Sequence, residues 1–111
     1  LANGVSTLKN ALDSEDTQFT MKALRQMGIE IAVNPSGVRV EGKGGGLEAC
    51  DTPIYLGNSG TSMRLLTGVA ALGKGIYTLT GNDRMQKRPI KDLLDALQQT
   101  GIKARSVKNN G

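Results

Sequence analysis

The sequence predicts an α/β (α+β) domain in which short strands alternate with amphipathic helices. Apolar residues recur with two periodicities, one typical of half-buried strands and the other of helices with one apolar face. Glycine makes up 15 of the 111 residues, well above the usual share of about 7%, and it follows each predicted helix. The chain also repeats part of its own pattern, as described below. The predicted order is β-α-β-β, followed by β-α-β-α-β.

The first half of the chain is predicted to form a strand, a helix and a hairpin. Residues 5–8 form the strand, and Asp13 or Ser14 is the expected N-cap of the helix. Gly28 follows the helix as its left-handed C′ residue. Alternating apolar residues on both sides of the turn at residues 34–37 (NPSG) predict a hairpin over residues 29–41. The glycine-rich run that follows is expected to be a loop.

The second half is predicted to contain three strands and two helices. A strand at residues 54–56 leads into a helix that opens at residues 58–61 (NSGT). A strand at residues 76–80 leads into a polar, basic loop at residues 81–88. Pro89 suits the first turn of the last helix, and Gly101 suits its C′ position. A further strand is expected over residues 102–107.

An internal repeat relates the two halves. The sequence GVSTL at residues 4–8 matches GIYTL at 75–79, and ALRQMGI at 23–29 matches ALQQTGI at 96–102. The second pattern is a common helix-to-strand junction, but two matches in the same order favour duplication. The chain begins and ends at different points of the repeated pattern. This predicts that the chain is a fragment of a longer series of such repeats. Residues 1–45 would be the later part of one unit and residues 46–111 most of the next.

The composition excludes several classes of protein. Histidine is absent and Cys50 is the single cysteine, so an internal disulfide, an ordinary zinc site and a histidine-based triad are ruled out. No apolar run is long enough to span a bilayer and no signal peptide opens the chain, so we expect a cytoplasmic protein without a membrane partner. The net charge is only +4 and there are three aromatic residues. We therefore expect no nucleic-acid partner.

A first candidate site lies at residues 56–64 (LGNSGTSMR), between a predicted strand and a predicted helix. Free backbone N–H groups and the helix dipole attract anions at such a position. Gly60 would let a ligand approach the backbone, and Asn58 and Thr61 could add side-chain hydrogen bonds. The alternative is that Asn58 or Ser59 only caps the helix and that Gly60 serves packing.

A second candidate site lies at residues 83–89 (DRMQKRP), where Arg84, Lys87 and Arg88 precede a helix. Cations oppose the dipole at a helix N-terminus, so their presence points to an anionic ligand. Arginine is suited to bidentate binding of a carboxylate or phosphate. The alternative is a solvated basic loop. Since both segments follow a strand and open a helix, they can share one edge of an α/β domain.

Together these segments resemble the 5-enolpyruvylshikimate-3-phosphate synthase family. The residues that carry the resemblance are 56–64 and 79–90 (LTGNDRMQKRPI), and residues 10–17 (NALDSEDT) resemble the segment after that family's first substrate-binding helix. The resemblance implies repeated β-α-β-α-β-β units with parallel helices packed inside sheets. This chain would be an incomplete N-terminal domain. The implied reaction transfers the enolpyruvyl group of phosphoenolpyruvate to shikimate 3-phosphate, a step of the shikimate pathway towards chorismate and the aromatic amino acids.

The resemblance also assigns roles by position. It implies that phosphoenolpyruvate is bound by Gly60 and Arg88, with Asn58 and Thr61 in the first loop and Arg84 in the second. Gly60 is also the position at which the family senses glyphosate, and glycine there predicts a sensitive enzyme.

No catalytic residue of the family falls within this chain, and no metal or cofactor is implied. The family's acid–base groups belong to its second domain, and a Ser-Lys-Ser segment lies upstream. We therefore expect no turnover from these residues alone. We expect the complete enzyme to need the rest of the polypeptide and to be a monomer.

Two other interpretations remain open. One is a fragment of the related enolpyruvyl transferase that acts on UDP-N-acetylglucosamine, whose motifs match this chain less well. The other is a non-catalytic basic α/β module whose basic loop contacts nucleic acid.

Overall fold

Strands and helices alternate along the chain, as predicted. The structure is a computed structural model and describes residues 1–106. Its elements are β1 (Asn3–Leu8), α1 (Glu15–Gln26), β2 (Glu30–Asn34), β3 (Gly37–Lys43), β4 (Ile54–Tyr55), α2 (Gly60–Ala70), β5 (Leu79–Thr80), α3 (Asp83–Gln86) and α4 (Lys91–Gln99).

The first half folds into an antiparallel sheet with the strand order β1-β3-β2. The predicted hairpin is confirmed, and the Asn34 side chain accepts hydrogen bonds from the backbone N–H and the hydroxyl of Ser36 in its turn. Val38 pairs with Leu8 on one side and Val33 on the other. Directly paired residues point to the same face of a sheet, so these residues belong to its apolar face.

The second half holds a two-stranded parallel sheet of β4 and β5. Ile54 pairs with Leu79, and Tyr55 pairs with Thr80. The carboxyl ends of parallel strands lie at the same edge of a sheet, which is where α/β folds bind ligands. The chain enters α2 after β4 and α3 after β5, so both connecting loops lie at that edge.

The helix termini follow local rules. Ser14, one of the two predicted candidates, caps α1 in a reciprocal pair with Thr17. Gly28 has a φ of 91° and Gly101 a φ of 90°, so both adopt the left-handed conformation expected of a C′ residue. Both predictions are confirmed.

The core forms where α1 and α2 pack on β4. Met27, Ile54 and Leu56 are fully buried. The buried apolar cluster consists of Ala23, Met27, Ile29, Leu47, Ile54, Leu56, Leu66 and Ala70. Through Leu56, Leu66 and Ala70 this cluster holds the segment after β4 and the body of α2 against α1.

Two predicted strands are wrong, one in its extent and the other in its existence over the described residues. The strand expected over residues 76–80 is limited to β5, which pairs with the two residues of β4. Residues 102–106 form no strand, and no neighbouring strand of the described chain pairs with them. Val107, the last residue of that predicted strand, lies outside the described residues.

The helix boundaries near the basic segment also differ from prediction. The loop expected over residues 81–88 contains the short helix α3, which Asn82 caps through a bond from the Met85 N–H. Four residues are too few to show a helical period, so the pattern did not reveal this turn. Pro89 precedes Ile90, the N-cap of α4, instead of lying in the first turn.

Candidate anion-binding site

The two loops at the carboxyl edge of β4 and β5 are joined through their backbones. The Asn82 N–H donates to the carbonyl of Gly57 at 2.8 Å. A Cβ on Gly81 would overlap that same carbonyl oxygen and the side chain of Met85. Glycine at position 81 is therefore required for the close crossing of the two loops.

Gly57 is constrained from its other side. It adopts a φ of 57°, and a Cβ there would lie 2.6 Å from the Phe19 ring. The Phe19 ring packs edge-on against Tyr55, with 5.9 Å between the ring centroids. The loop that enters α2 is thus held between α1 and the loop that follows β5.

The amino terminus of α2 presents free donors. Ser59, and not Asn58, is the N-cap, and its hydroxyl accepts a bond from the Ser62 N–H at 3.2 Å. Within residues 1–106, nothing accepts a hydrogen bond from the backbone N–H of Gly60 or Thr61. These donors, together with the positive end of the helix dipole, can bind an anion.

Arg88 lies directly against this helix terminus. A Cβ built on Gly60 would overlap Nη1 of Arg88, so the guanidinium packs on the bare backbone of the glycine. The structure therefore brings together the most important candidate residue of each predicted segment. The guanidinium of Arg88 and the backbone N–H groups of Gly60 and Thr61 together form the candidate anion-binding site, called the seat below.

Arg64 holds the same arrangement in place, although it is not among the five predicted binding residues. Its Nη2 donates to the Pro89 carbonyl at 2.8 Å, which ties α2 to the residue after Arg88. Residues four apart lie on the same face of a helix, and Arg64 is four positions after Gly60. This spacing of four residues could have identified Arg64 from the sequence as a neighbour of Gly60.

The other three predicted residues are exposed. The side chains of Asn58, Thr61 and Arg84 form no hydrogen bond or ion pair with any residue of the described part. In the same range Arg84, Lys87 and Arg88 have no acidic partner within ion-pair distance. The basic segment therefore presents uncompensated positive charge beside the amino terminus of α2.

A cavity of about 1030 Å³ extends from this seat between α2, β5 and α4. Gly60, Arg64 and Arg88 line it together with apolar residues of α4, including Leu94 and Leu97. Its lining is thus charged where the two loops meet and apolar along α4.

Two ionisable groups with altered pKa values lie away from the seat. Burial, and to a lesser degree the nearby Cys50, raises the pKa of Tyr77. The hydrogen bond to Asp95 raises the pKa of Lys91. Over residues 1–106 no cluster of three or more His, Cys, Asp or Glu side chains could hold a metal ion. No helix in that range is long and apolar enough to cross a membrane.

Comparison with known proteins identifies the family. Residues 1–111 match the family model of EPSP synthase (3-phosphoshikimate 1-carboxyvinyltransferase). The chain belongs to the EPSP synthase family. The resemblance carried by residues 56–64 and 79–90 is thereby confirmed.

Similar sequences and structures support the assignment. Proteins named 3-phosphoshikimate 1-carboxyvinyltransferase from Methanospirillum hungatei and Trichormus variabilis are 45% and 44% identical over the whole chain. A solved EPSP synthase from Acinetobacter baumannii superposes over 100% of the chain with a TM-score of 0.92 at 34% identity. The predicted α/β fold is therefore confirmed.

The chain corresponds to only part of these relatives. It spans 26% of the length of the Methanospirillum hungatei and Trichormus variabilis proteins and 25% of the Acinetobacter baumannii structure. The family assignment therefore rests on a segment equivalent to about a quarter of these relatives.

Proposed function

We propose that this chain forms the phosphoenolpyruvate-binding wall of an enolpyruvyl (carboxyvinyl) transferase of the shikimate pathway. The complete enzyme would transfer the enolpyruvyl group of phosphoenolpyruvate to the 5-hydroxyl of shikimate 3-phosphate and release phosphate. The observation that carries the proposal is the Arg88 guanidinium packed against Gly60 at the amino terminus of α2. The name of the relatives describes this class of reaction.

The chemistry of the seat suits phosphoenolpyruvate, which carries a phosphate and a carboxylate. The guanidinium of Arg88 can bind either group through two parallel hydrogen bonds. The N–H groups of Gly60 and Thr61 can bind a second oxygen. Asn58 and Thr61 add exposed side-chain donors beside them, and Arg84 adds positive charge on α3. These groups bind and orient the substrate, and they stabilise negative charge that develops during the reaction.

The proposed reaction is an addition–elimination through a tetrahedral intermediate, and it needs groups that move protons. The seat offers cations and backbone donors, and the chain contains no histidine. We therefore assign the acid–base groups, and further contacts to shikimate 3-phosphate, to other parts of the same polypeptide. These 111 residues would bind anions weakly and show no turnover by themselves.

We also propose that the chain is an incomplete N-terminal domain, with residues 1–45 and 46–111 in successive units. Its accessible surface is 7430 Å², whereas a compact protein of 11.7 kDa exposes about 5900 Å². No residue of α4 is buried. Large apolar side chains are exposed elsewhere, among them Leu8, Leu12, Val33, Leu72 and Ile76. The remaining units and the second domain would cover them in a monomeric, cytoplasmic enzyme.

The test is a chimera in which these 111 residues replace the matching segment of the Methanospirillum hungatei relative. We expect release of phosphate from phosphoenolpyruvate in the presence of shikimate 3-phosphate. Because Arg88→Ala removes a charged hydrogen-bond donor, it should raise the KM for phosphoenolpyruvate by about 10- to 100-fold.

A matched control is Arg39→Ala, which removes an exposed arginine that is paired with Glu41 on the hairpin. It should leave the KM unchanged. A folded chimera without activity, or one whose KM is insensitive to Arg88→Ala, would contradict the proposal. Turnover of UDP-N-acetylglucosamine, or binding of RNA without turnover, would support one of the other two interpretations.

A further inference from the structure

Three hydroxyls meet where the amino-terminal halves of α1 and α2 pack together, two of them buried and one half-buried. They belong to Thr20, Ser59 and Ser62, called here the hydroxyl cluster. Ser62 is 0% exposed and Ser59 is 3% exposed, although a buried hydroxyl is costly unless it is hydrogen-bonded. The cluster lies outside the seat formed by Gly60 and Arg88.

Every hydroxyl of the cluster has partners. The Ser59 hydroxyl donates to Ser62 Oγ at 2.7 Å, and Ser62 Oγ donates to the Asp16 carbonyl at 3.0 Å. Thr20 Oγ1 lies 2.7 Å from Ser62 Oγ and 2.9 Å from the same carbonyl. The bonds run without a gap from the helix cap of α2 to the backbone of α1.

Ser62 is the centre of this arrangement. Its Oγ contacts Ser59, Thr20 and Asp16, and its backbone N–H donates to Ser59 Oγ. The Ser59 hydroxyl therefore both caps α2 and connects to α1 through Ser62. Ser59 directly precedes Gly60, so the cluster determines where the free N–H groups of the helix terminus lie relative to α1.

We propose that Ser62, acting through Ser59 and Thr20, is a positioning residue that holds the Gly60 N–H groups in register with the Arg88 guanidinium. This inference rests on the proposed function, since it concerns how the phosphoenolpyruvate seat is kept in shape. Ser62 itself does not touch the ligand. Loss of its hydroxyl leaves the Ser59 donor without its acceptor, so Ser59 reorients and the helix terminus shifts away from Arg88.

The test uses the chimera described above. Ser62→Ala should raise the KM for phosphoenolpyruvate about three- to tenfold, the effect of one or two lost hydrogen bonds. The KM for shikimate 3-phosphate should change much less. Thr20→Val, which keeps the side-chain shape and leaves the Ser62 bond to Asp16 intact, should give a smaller effect in the same direction. If Ser62→Ala does not fold, Thr20→Val decides the question by the same measurement.

The matched control is Thr67→Val on the same helix. Among residues 1–106 the one hydrogen bond of the Thr67 hydroxyl is to the Met63 carbonyl of its own helix, so its loss should leave both KM values unchanged. A double-mutant cycle between Ser62→Ala and Gly60→Ala should be non-additive, because both changes act on the distance between Gly60 and Arg88.

The outcomes separate the two proposals. A chimera whose activity depends on Arg88 but whose KM values are unaffected by Ser62→Ala and Thr20→Val would overturn the positioning role alone. Loss of stability with both KM values unchanged would also overturn it, because that is the result of a merely structural cluster. A chimera that folds without activity would overturn the proposed function instead.

Discussion

Gly60 and Arg88 meet at a point where any side chain on residue 60 would displace the guanidinium. The atom displaced is the flexible end of a long side chain, so the structural cost of a methyl group is small. In the proposed site the functional cost is larger, because the guanidinium and the backbone N–H groups would bind one anion together. The candidate site therefore depends on the absence of a Cβ at residue 60.

We expect Gly60→Ala in the chimera to raise the KM for phosphoenolpyruvate at least about tenfold. Its unfolding free energy should change by less than about 1 kcal/mol, as for a substitution that moves only a surface side chain. Steady-state kinetics and denaturant unfolding measure the two effects. An unchanged KM for phosphoenolpyruvate would show that Arg88 does not act at Gly60.

The unsubstituted chimera should be inhibited by glyphosate, and Gly60→Ala should weaken that inhibition.

Tyr77 gives a pH dependence of stability. Its hydroxyl donates to the Glu48 carbonyl at 2.8 Å, and burial raises its pKa above the ordinary value of 10.0. Since the folded state holds the proton more tightly, this contribution is fully present below pH 10 and is lost as the pH rises through the folded pKa. Tyr77→Phe should lower the unfolding free energy by about 1 kcal/mol at pH 8. Between pH 9 and 11 the unfolding free energy of the variant should fall less steeply than that of the unsubstituted protein. Denaturant unfolding of the chimera at several pH values measures this, and parallel curves for the two proteins would refute it.

The element that builds the site is the pair of parallel strands with its two loops. Two residue pairs, Ile54 with Leu79 and Tyr55 with Thr80, hold β4 beside β5. Beyond them the loops cross with Gly81 against Gly57. The crossing brings α2 and α3 together at the carboxyl edge, so the position of Arg88 depends on the packing of one loop on the other.

Gly81→Ala tests this dependence. The new methyl group would overlap the Gly57 carbonyl, which is backbone and cannot rotate away. We expect a loss of about 1–3 kcal/mol in unfolding free energy and a higher KM for phosphoenolpyruvate. The control is Gly68→Ala in α2, where a Cβ meets no atom within 4 Å. That change should be neutral or stabilise by up to about 1 kcal/mol. Equal stabilities for the two variants would contradict the close crossing.

At the scale of the whole molecule, the described chain leaves much apolar surface uncovered. Its radius of gyration is 14.4 Å, against about 13 Å for a compact domain of this length. The apolar residues of α4 line a cavity of about 1030 Å³, and none of them belongs to the buried core of residues 1–106. This openness agrees with a chain that spans about a quarter of its relatives.

Leu94→Ala distinguishes an open cavity from one that the rest of the enzyme fills. In the separate chain, where Leu94 is half-buried and lines the cavity, the change should cost about 1 kcal/mol. In the chimera it should cost about 2–5 kcal/mol, as for a buried leucine. Leu66→Ala, in the core at 2% exposure, should cost about 2–5 kcal/mol in both. Equal costs for Leu94→Ala, or cooperative unfolding of the separate chain with the stability of a complete domain, would contradict the incomplete-domain proposal.

The local features were predictable because they depend on neighbouring residues. A serine that caps a helix and a glycine that ends one act within a single turn, which is why Ser14, Gly28 and Gly101 could be identified in advance. The hairpin followed from alternation and an Asn-Pro-Ser-Gly turn. The family followed from two motifs at a particular spacing. The roles of Asn58, Gly60, Thr61, Arg84 and Arg88 in binding remain predictions.

The tertiary structure alone decided which distant groups meet. Gly60 and Arg88 are in contact because β4 and β5 pair in parallel and their loops cross. The hydroxyl cluster forms because α1 and α2 pack with their amino-terminal halves together. The strands β4 and β5 are shorter than their apolar patterns, whereas β1 and β3 are longer, because a strand extends as far as its partner can accept its hydrogen bonds. Local chemistry therefore sets the ends of helices, whereas pairing and packing across the chain set the site.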